Sequence, residues 1–281
     1  MTADPVSDGI VLYDKPAGIT SHDVVARMRP ALGGRGGGRG GGSRRVKVGH
    51  AGTLDPFATG LLLVLVGRAT RVQRFLMALP KRYEAVARFG AVSSTGDPEG
   101  EVLHTGVVPS GDLPLPTGAV RQRPPAYSAV KVGGRRAYAL ARAGEEVELA
   151  ERVVEVYRFD EVWRSGDRRG FVIECSSGTY VRSLIADLGD AYCEELRRTA
   201  IGRFEVADAD PGRIIALDDA LSFMPEVRLD PEAAQRAGHG GAVAGDAGGA
   251  EVVRLTDTDG LIALAAPRSA NVLAPVVGLR G

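Results

Sequence analysis

His50-Ala51-Gly52-Thr53-Leu54-Asp55-Pro56-Phe57-Ala58-Thr59-Gly60, followed at once by Leu61-Leu62-Leu63-Val64-Leu65-Val66, is the stretch from which the fold can be read. The unbroken apolar run predicts a strand buried on both faces. The residues before it predict a loop, in which Gly52 and Gly60 suit a backbone that turns tightly or approaches a ligand, and Pro56 fixes one dihedral beside the carboxylate. Between Asp23 and Glu84 the chain carries Arg27, Arg29, Arg35, Arg39, Arg44, Arg45, Lys47, Arg68, Arg71, Arg74, Lys81 and Arg82 but a single acid, Asp55. Opposite charges within a few ångströms lower a carboxyl pKa by about 1–3 units, so the sequence predicts Asp55 to be a permanent anion at neutral pH. The same residue reads equally well as an Asx cap of the turn into the strand.

The chain has 281 residues, 44% of them hydrophobic and 25% charged, enough for one large domain or a large one plus a small one. No apolar run approaches the roughly 18 residues of a membrane span, and Met1-Thr2-Ala3-Asp4-Pro5 has neither the basic nor the apolar part of a secretion signal. A cytoplasmic protein is expected. Cys175 and Cys193 stand apart from His22, His50, His104 and His239 without metal-ligand spacing, so no metal is expected and both thiols read as buried or idle.

The formal net charge is zero, yet the charges are unevenly placed. A second tract, Leu113 to Gly144, holds Arg121, Arg123, Lys131, Arg135, Arg136 and Arg142 and no acid, whereas from Glu226 onward acids outnumber bases. Two basic tracts suggest a polyanion laid across one face, with phosphate neutralisation supplying much of the affinity. Solvated helix faces are the alternative reading.

Gly9 to Tyr13 predicts a strand, and Asp14 to Gly18 a turn. Thr20 or Ser21 then reads as the cap of a helix from His22 to Leu32. Gly33 to Ser43 is nearly pure glycine with Arg35 and Arg39, a flexible surface insertion. Ala69 to Leu79 has helical spacing, Tyr83 to Phe89 alternates as a half-exposed strand, and Val92 to Gly100 is a polar loop. Tyr127 to Val132, Gly133-Gly134 and Arg135 to Ala143 predict strand, turn and basic helix. Arg152 to Trp163 and Phe171 to Cys175 predict strands, and a helix follows with Leu184, Ile185 and Leu188 on one face. Strands in succession with interposed helices indicate an α+β protein. From Met224 the composition changes: Ala233 to Ala250 is rich in Ala and Gly, and a β-hairpin is expected around Asp257-Thr258-Asp259-Gly260. The expected division is 9–223 and 224–281.

Taken together, Asp14-Lys15-Pro16, the Gly49–Gly60 run, Lys81-Arg82-Tyr83, Gln122 to Lys131, Gly178-Thr179-Tyr180-Val181-Arg182 and Leu196-Arg197-Arg198-Thr199 resemble the TruB-type tRNA pseudouridine synthases. The motifs keep their order and cover most of residues 9 to 203. The resemblance implies a pseudouridine synthase catalytic fold with a central mixed or antiparallel sheet, followed by a small, β-rich, PUA-like domain. It implies isomerisation of uridine to pseudouridine at position 55 of the tRNA T-loop by a monomer that needs no cofactor, protein partner or membrane.

By the same resemblance Asp55 is the nucleophile, Tyr83 stacks on the target base and helps remove its C5 proton, Tyr180 lies against the pocket, and Arg182 pairs with Asp55. Arginine suits that pairing because its planar fork holds a carboxylate better than a lysine does. His50 would hold the T-loop after the target base flips out, and Asp97 and Leu196 would line the pocket. From the basic tract Arg121, Arg123, Lys131, Arg135 and Arg136 are the expected RNA contacts, with Lys15 a further candidate that fits a structural role near the loop better than a chemical one. Ala51 departs from the family, which commonly has Thr there. Two rival readings remain: a nucleosidase-like glycosidase, a class that usually works with two carboxyl groups, and a non-catalytic RNA-binding or RNA-folding protein.

Overall fold

The apolar run forms a strand, Thr59–Val66, deep inside a ten-stranded sheet. Leu62, Val64 and Val66 face one core with Val24, Val25 and Met28, while Leu61, Leu63 and Leu65 face another with Leu76, Ile201 and Leu217. Each face is covered, which is why the run shows no polar alternation. The computed structural model describes residues 8–32, 46–125, 127–128, 130–143, 145 and 149–280. The Gly33–Ser43 insertion and the side chains of Lys131 and Arg136 lie outside the described residues.

In chain order the first half of the fold comprises β1 (Gly9–Lys15), α1 (Ser21–Leu32), β2 (Val48–His50), β3 (Thr59–Val66), α2 (Gln73–Ala78), β4 (Lys81–Phe89), β5 (Ala91–Ser93), β6 (Val102–His104) and β7 (Gly118–Gln122). There follow β8 (Lys131–Val132), β9 (Arg135–Arg136), α3 (Ala137–Arg142), β10 (Arg152–Ser165), β11 (Arg168–Cys175), α4 (Val181–Ala186), β12 (Ala191–Ile201), β13 (Phe204–Glu205), β14 (Ile215–Ala216) and α5 (Leu217–Ala220). The large sheet has the order β14-β1-β3-β12-β4-β11-β10-β7, with β13 beside β12 and β2 beside β3. Every pairing in it is antiparallel except that of β12 with β3. The protein is therefore α+β with a mixed central sheet.

Several elements differ from the sequence expectations for identifiable reasons. Thr20, not Ser21, caps α1: its hydroxyl accepts from the Asp23 amide at 3.1 Å while Asp23 accepts from the Thr20 amide at 2.8 Å, a reciprocal box. The Ala69–Leu79 pattern is a 3-10 turn over Gly67–Val72 before it becomes α2. The expected strand at Tyr127–Val132 shrinks to β8, and the polar loop after Val92 is the tip of the β5–β6 hairpin. The central strand β12 is not anticipated at all, because Glu194, Glu195, Arg197 and Arg198 interrupt its apolar pattern. Glu194 is neutralised by Arg168 at 2.6 Å and Arg198 is buried against backbone carbonyls, partners that no linear pattern displays.

A second sheet contains β15 (Glu226–Arg228), β16 (Val243–Ala244), β17 (Val253–Asp257), β18 (Gly260–Ser269) and β19 (Val272–Gly278), ordered β15-β17-β18-β19-β16. The Ala-rich segment supplies α6 (Pro231–Gly238), with Asp230 accepting from the Ala233 amide at 2.8 Å and Pro231 in the first turn. Leu264 and Leu279 reach from this sheet into the same core as Leu217 and Leu221. Arg254, nearly buried, bridges Asp218 at 2.5 Å and Glu226 at 3.3 Å, and Arg68 donates to the Leu279 carbonyl at 2.7 Å. Apolar and ionic contacts thus fix the second sheet to the first.

Gly60, where the loop enters β3, has φ +102°, and a Cβ there would stand 2.3 Å from the Arg198 carbonyl oxygen of β12. Gly18 also has positive φ (+79°) but open space around it. Gly60→Ala is expected to lose more than about 2 kcal/mol of folding stability and Gly18→Ala about 1 kcal/mol, since the first adds a backbone clash to the dihedral cost. Urea denaturation of the two variants checks this; equal losses would refute the steric account.

Candidate active site

The loop between β2 and β3 is anchored from three sides. Ser21 accepts from the Leu54 amide at 2.8 Å and donates to the Leu54 carbonyl at 3.3 Å. Arg198, fully buried on β12, donates from Nε to Leu61 at 2.8 Å, from Nη1 to Thr53 at 3.4 Å and from Nη2 to Gly52 at 3.1 Å, all carbonyl oxygens. Lys15, also fully buried, donates its ammonium to the carbonyls of Pro16, Ile19 and Pro56 at 2.9, 2.8 and 3.2 Å. Three donors meet three acceptors, so Lys15 has nothing left for RNA, contrary to the expected contact; it clamps the turn after β1 to Pro56. Burial pulls its pKa down to about 8, against the attraction of Asp55.

What these anchors hold is Asp55. Its carboxylate stands 2.9 Å from Nε of Arg182, which is 3% exposed, while 30% of the Asp55 side chain remains accessible. The same guanidinium reaches Asp97 Oδ2 at 2.8 Å and donates to the carbonyls of Thr95 at 2.7 Å and Tyr127 at 2.8 Å. Arg182 therefore gathers the loop, the tip of the β5–β6 hairpin and the segment before β8. The expectation of a lone acid in a basic field fails here, because the fold brings Asp97 alongside. Burial raises the Asp55 carboxyl above its ordinary value; Arg182 pulls it back and Asp97 pushes it further up. Loss of hydration, which distance along the chain does not reveal, outweighs the arginine.

The Asp97 oxygens are spent on structure: besides Arg182, Oδ1 accepts from the Thr95 hydroxyl and from the Glu99 amide at 3.0 Å. Tyr83 on β4 and Leu196 on β12 are buried in one core with Leu54. Burial raises the Tyr83 phenol, with the Arg198 guanidinium pulling the other way, so the group stays a neutral phenol at neutral pH. Tyr180, partly exposed just before α4, is held through its backbone by Gln122, which accepts from its amide at 2.7 Å and donates to its carbonyl at 2.8 Å. His50 ends β2 at the start of the loop, partly exposed, and its carbonyl accepts from Gln73 at 2.7 Å. Arg121, Arg123 and Arg135 are exposed, but Arg123 lies 3.5 Å from Glu151 and Arg135 2.9 Å from Glu145, acids just beyond the acid-free tract.

Sequence reasoning missed Ser21, Arg198 and Gln122. Arg198 sits inside a motif quoted for its neighbours, among the charges that conceal β12, and no linear pattern marks it as buried. Burial also raises both thiols, Cys175 to about 11, which fits idle cysteines. Among the described residues no group of His, Cys, Asp and Glu could hold a metal, and no helix is long and apolar enough to cross a membrane.

The chain resembles, over 98% of its length, a chain in the structure of an H/ACA RNP bound to a substrate RNA containing 2'-deoxyuridine (TM-score 0.67, 23% identity, 86% of that chain). A similar match is found in a Cbf5-Nop10-Gar1 complex (TM-score 0.66, 25% identity, 98% and 85% covered). Residues 42–181 match the model of the TruB family pseudouridylate synthase N-terminal domain. Relatives named tRNA pseudouridine synthase B are 46% identical in Nocardia farcinica (strain IFM 10152), covering 83% of this chain and 76% of the relative, and 42% identical in Mycobacterium sp. (strain KMS), covering 95% and 91%. Fold and sequence together define a pseudouridine synthase, an isomerase. The chain belongs to the TruB family of these enzymes.

Arg182→Gln leaves Asp55 and Asp97 facing each other without a counter-charge, and removing one partner of a buried pair costs about 3–5 kcal/mol. Combined with Asp97→Asn, the loss should fall short of the sum of the single losses by about 1–3 kcal/mol. Urea denaturation of the two single variants and the double variant measures this; additive losses would show that the pair shares no energy.

Proposed function

We propose that this enzyme converts the uridine at position 55 of the tRNA T-loop to pseudouridine, with Asp55 as nucleophile. The observation that carries the reading is a partly accessible carboxylate fixed at 2.9 Å from a buried guanidinium, on a loop tied down at both ends. The names of the relatives, tRNA pseudouridine synthase B, support tRNA as the substrate class.

The reaction rearranges one molecule. The bond from ribose C1′ to uracil N1 breaks, C1′ joins C5, the C5 proton leaves and N1 takes one up, so atoms and charge balance without a redox partner. A carboxylate serves this as a covalent trap for the detached sugar or base, or as a counter-charge to the cationic sugar. Holding it rigidly avoids the cost of orienting it at the moment of reaction. Flipping the target nucleotide out of a folded loop costs a few kcal/mol, which a preformed pocket with a stacking wall offsets. Tyr83 suits that wall. As a base for the C5 proton it would first have to ionise, which its burial opposes. Tyr180 and Leu196 complete the pocket in this reading, His50 steadies the refolded loop, and Arg121, Arg123 and Arg135 contact phosphates, supported by their exposure.

A glycosidase reading needs a second working carboxyl group. Asp97 is present but bound to Arg182, Thr95 and Glu99. We further propose that residues 224–281 form a PUA-like domain, packed on the catalytic part through a shared core, that adds RNA surface, and that the enzyme acts as a monomer without a protein partner.

Asp55→Asn is expected to abolish isomerisation while tRNA affinity stays within about tenfold, or 1.4 kcal/mol. Tritium released from uracil C5 of a labelled tRNA reports turnover directly, and substantial release by the variant would end the assignment. Because the ionised carboxylate acts, and its pKa lies above the ordinary range, single-turnover rates should fall with acid on a limb at higher pH than that of a free aspartate. Asp97→Asn removes a charge that pushes Asp55 up, so the limb should move to lower pH. A limb that stays in place or moves up would refute the coupling.

A further inference from the structure

Arg152, the first residue of β10, is placed unlike the other inward-facing arginines. Arg182, Arg198 and Arg254 all reach carboxylates or carbonyls; Arg182 Nε makes no aligned hydrogen bond but has the Asp55 carboxylate at 2.9 Å. In Arg152 the Nε and Nη2 atoms are buried with no hydrogen-bond partner, and no carboxylate pairs with it among the described residues. Its Cζ lies 4.7 Å from the centroid of the Tyr180 ring. It pairs across the strands with Gln122, the residue that fixes the Tyr180 backbone, so both side chains leave the sheet on the same face.

Arg152 is part-buried, and for the two nitrogens cut off from water a cation–π contact returns only part of what hydration gave. Such an arrangement persists where it is completed by a ligand of opposite charge. The approach is open beside Gly178, in the exposed part of the loop leading to Tyr180: the nearest atom to a Cβ built on this glycine is Arg152 Nη1, at 3.7 Å.

We propose that Arg152 is a binding site for a backbone phosphate of the RNA, next to the nucleotide held against Tyr180. The planar guanidinium offers a phosphodiester two parallel donors while its face rests on the ring. Binding of the RNA supplies the missing anion, so the stack on Tyr180 tightens when substrate is present. The inference rests on RNA being the substrate and names one subsite of that same cleft.

The test uses the full-length protein and an unmodified tRNA transcript, with affinity measured across about 50–200 mM salt. Arg152→Met keeps the aliphatic stem and should flatten the log–log salt slope by about 0.7–0.9, the signature of one lost phosphate contact. Arg152→Lys keeps the charge and should retain the slope. Without RNA, Arg152→Met should melt close to or above the parent temperature, because it removes two buried donors that have no acceptor and keeps the aliphatic stem. An unchanged slope in Arg152→Met, a slope lost equally in Arg152→Lys, or a melting temperature several degrees below the parent each overturns the proposal, the last by making the guanidinium a structural prop. Tritium release by the parent protein on the same transcript tests the substrate reading separately; if the parent neither binds nor turns over the transcript, both fall.

Discussion

Taking the guanidinium of Arg182 out of water is the constraint on which the rest of the site depends. At 3% exposure it has little water to turn to, and its partners come from three places far apart in the chain: Asp55, the Thr95 and Asp97 turn, and Tyr127. Arg182 itself is fixed by its position in α4, whose Leu184 and Ile185 are buried in the core on that face of the sheet. One buried cation thus couples catalytic geometry to folding, because loosening any of its acceptors leaves a charge unsatisfied in a region of low polarity.

A second buried arginine does different work. Arg198 touches no carboxylate; it binds the carbonyls of Gly52, Thr53 and Leu61 and so fixes the path of the loop rather than the charge upon it. The division is physically sensible. Arg198 sets the backbone of the loop and Arg182 meets the carboxylate it carries, so path and charge are held by different cations. Gly60 completes the arrangement, since β3 approaches the backbone of β12 there more closely than any side chain permits.

How much of this could be read in the sequence follows from the range of the interactions. The double burial of β3, the loop before it and the hairpin around Asp257–Gly260 depend on local pattern and turn chemistry, and the sequence carried them. Strand β12 depends on partners elsewhere: its charges are satisfied by β11 and by the loop, so they read as surface when viewed in line. The same limit applies to Asp55. Its neighbours along the chain are basic, but its neighbours in space include Asp97 and a largely dry wall, and these reverse the direction of its pKa. Lys15, which the motif suggests as structural but also as a candidate RNA contact, is a buried clamp, because three carbonyl acceptors converge on it only after the turn has formed. Family resemblance located the motif residues, yet the parts played by Ser21 and Gln122 emerged only from their bonds to the backbone.

The charges around Asp55 also bear on how the proposed nucleophile can work facing phosphates. Asp55 and Asp97 are balanced by Arg182 and Lys15, so the innermost group carries no formal net charge when all four are ionised, a balance that weakens as Lys15 titrates near pH 8. Such a centre neither attracts nor repels a polyanion strongly at a distance. Attraction has to come from arginines further out, where water and salt screen them, and several of those are already held by acids such as Glu145 and Glu151. A weak outer field favours binding governed by the shape of the pocket and by stacking over adhesion to any phosphate chain, which suits the proposed action on a single uridine. The formal net charge of zero, which at first argues against a nucleic-acid substrate, is consistent with that economy.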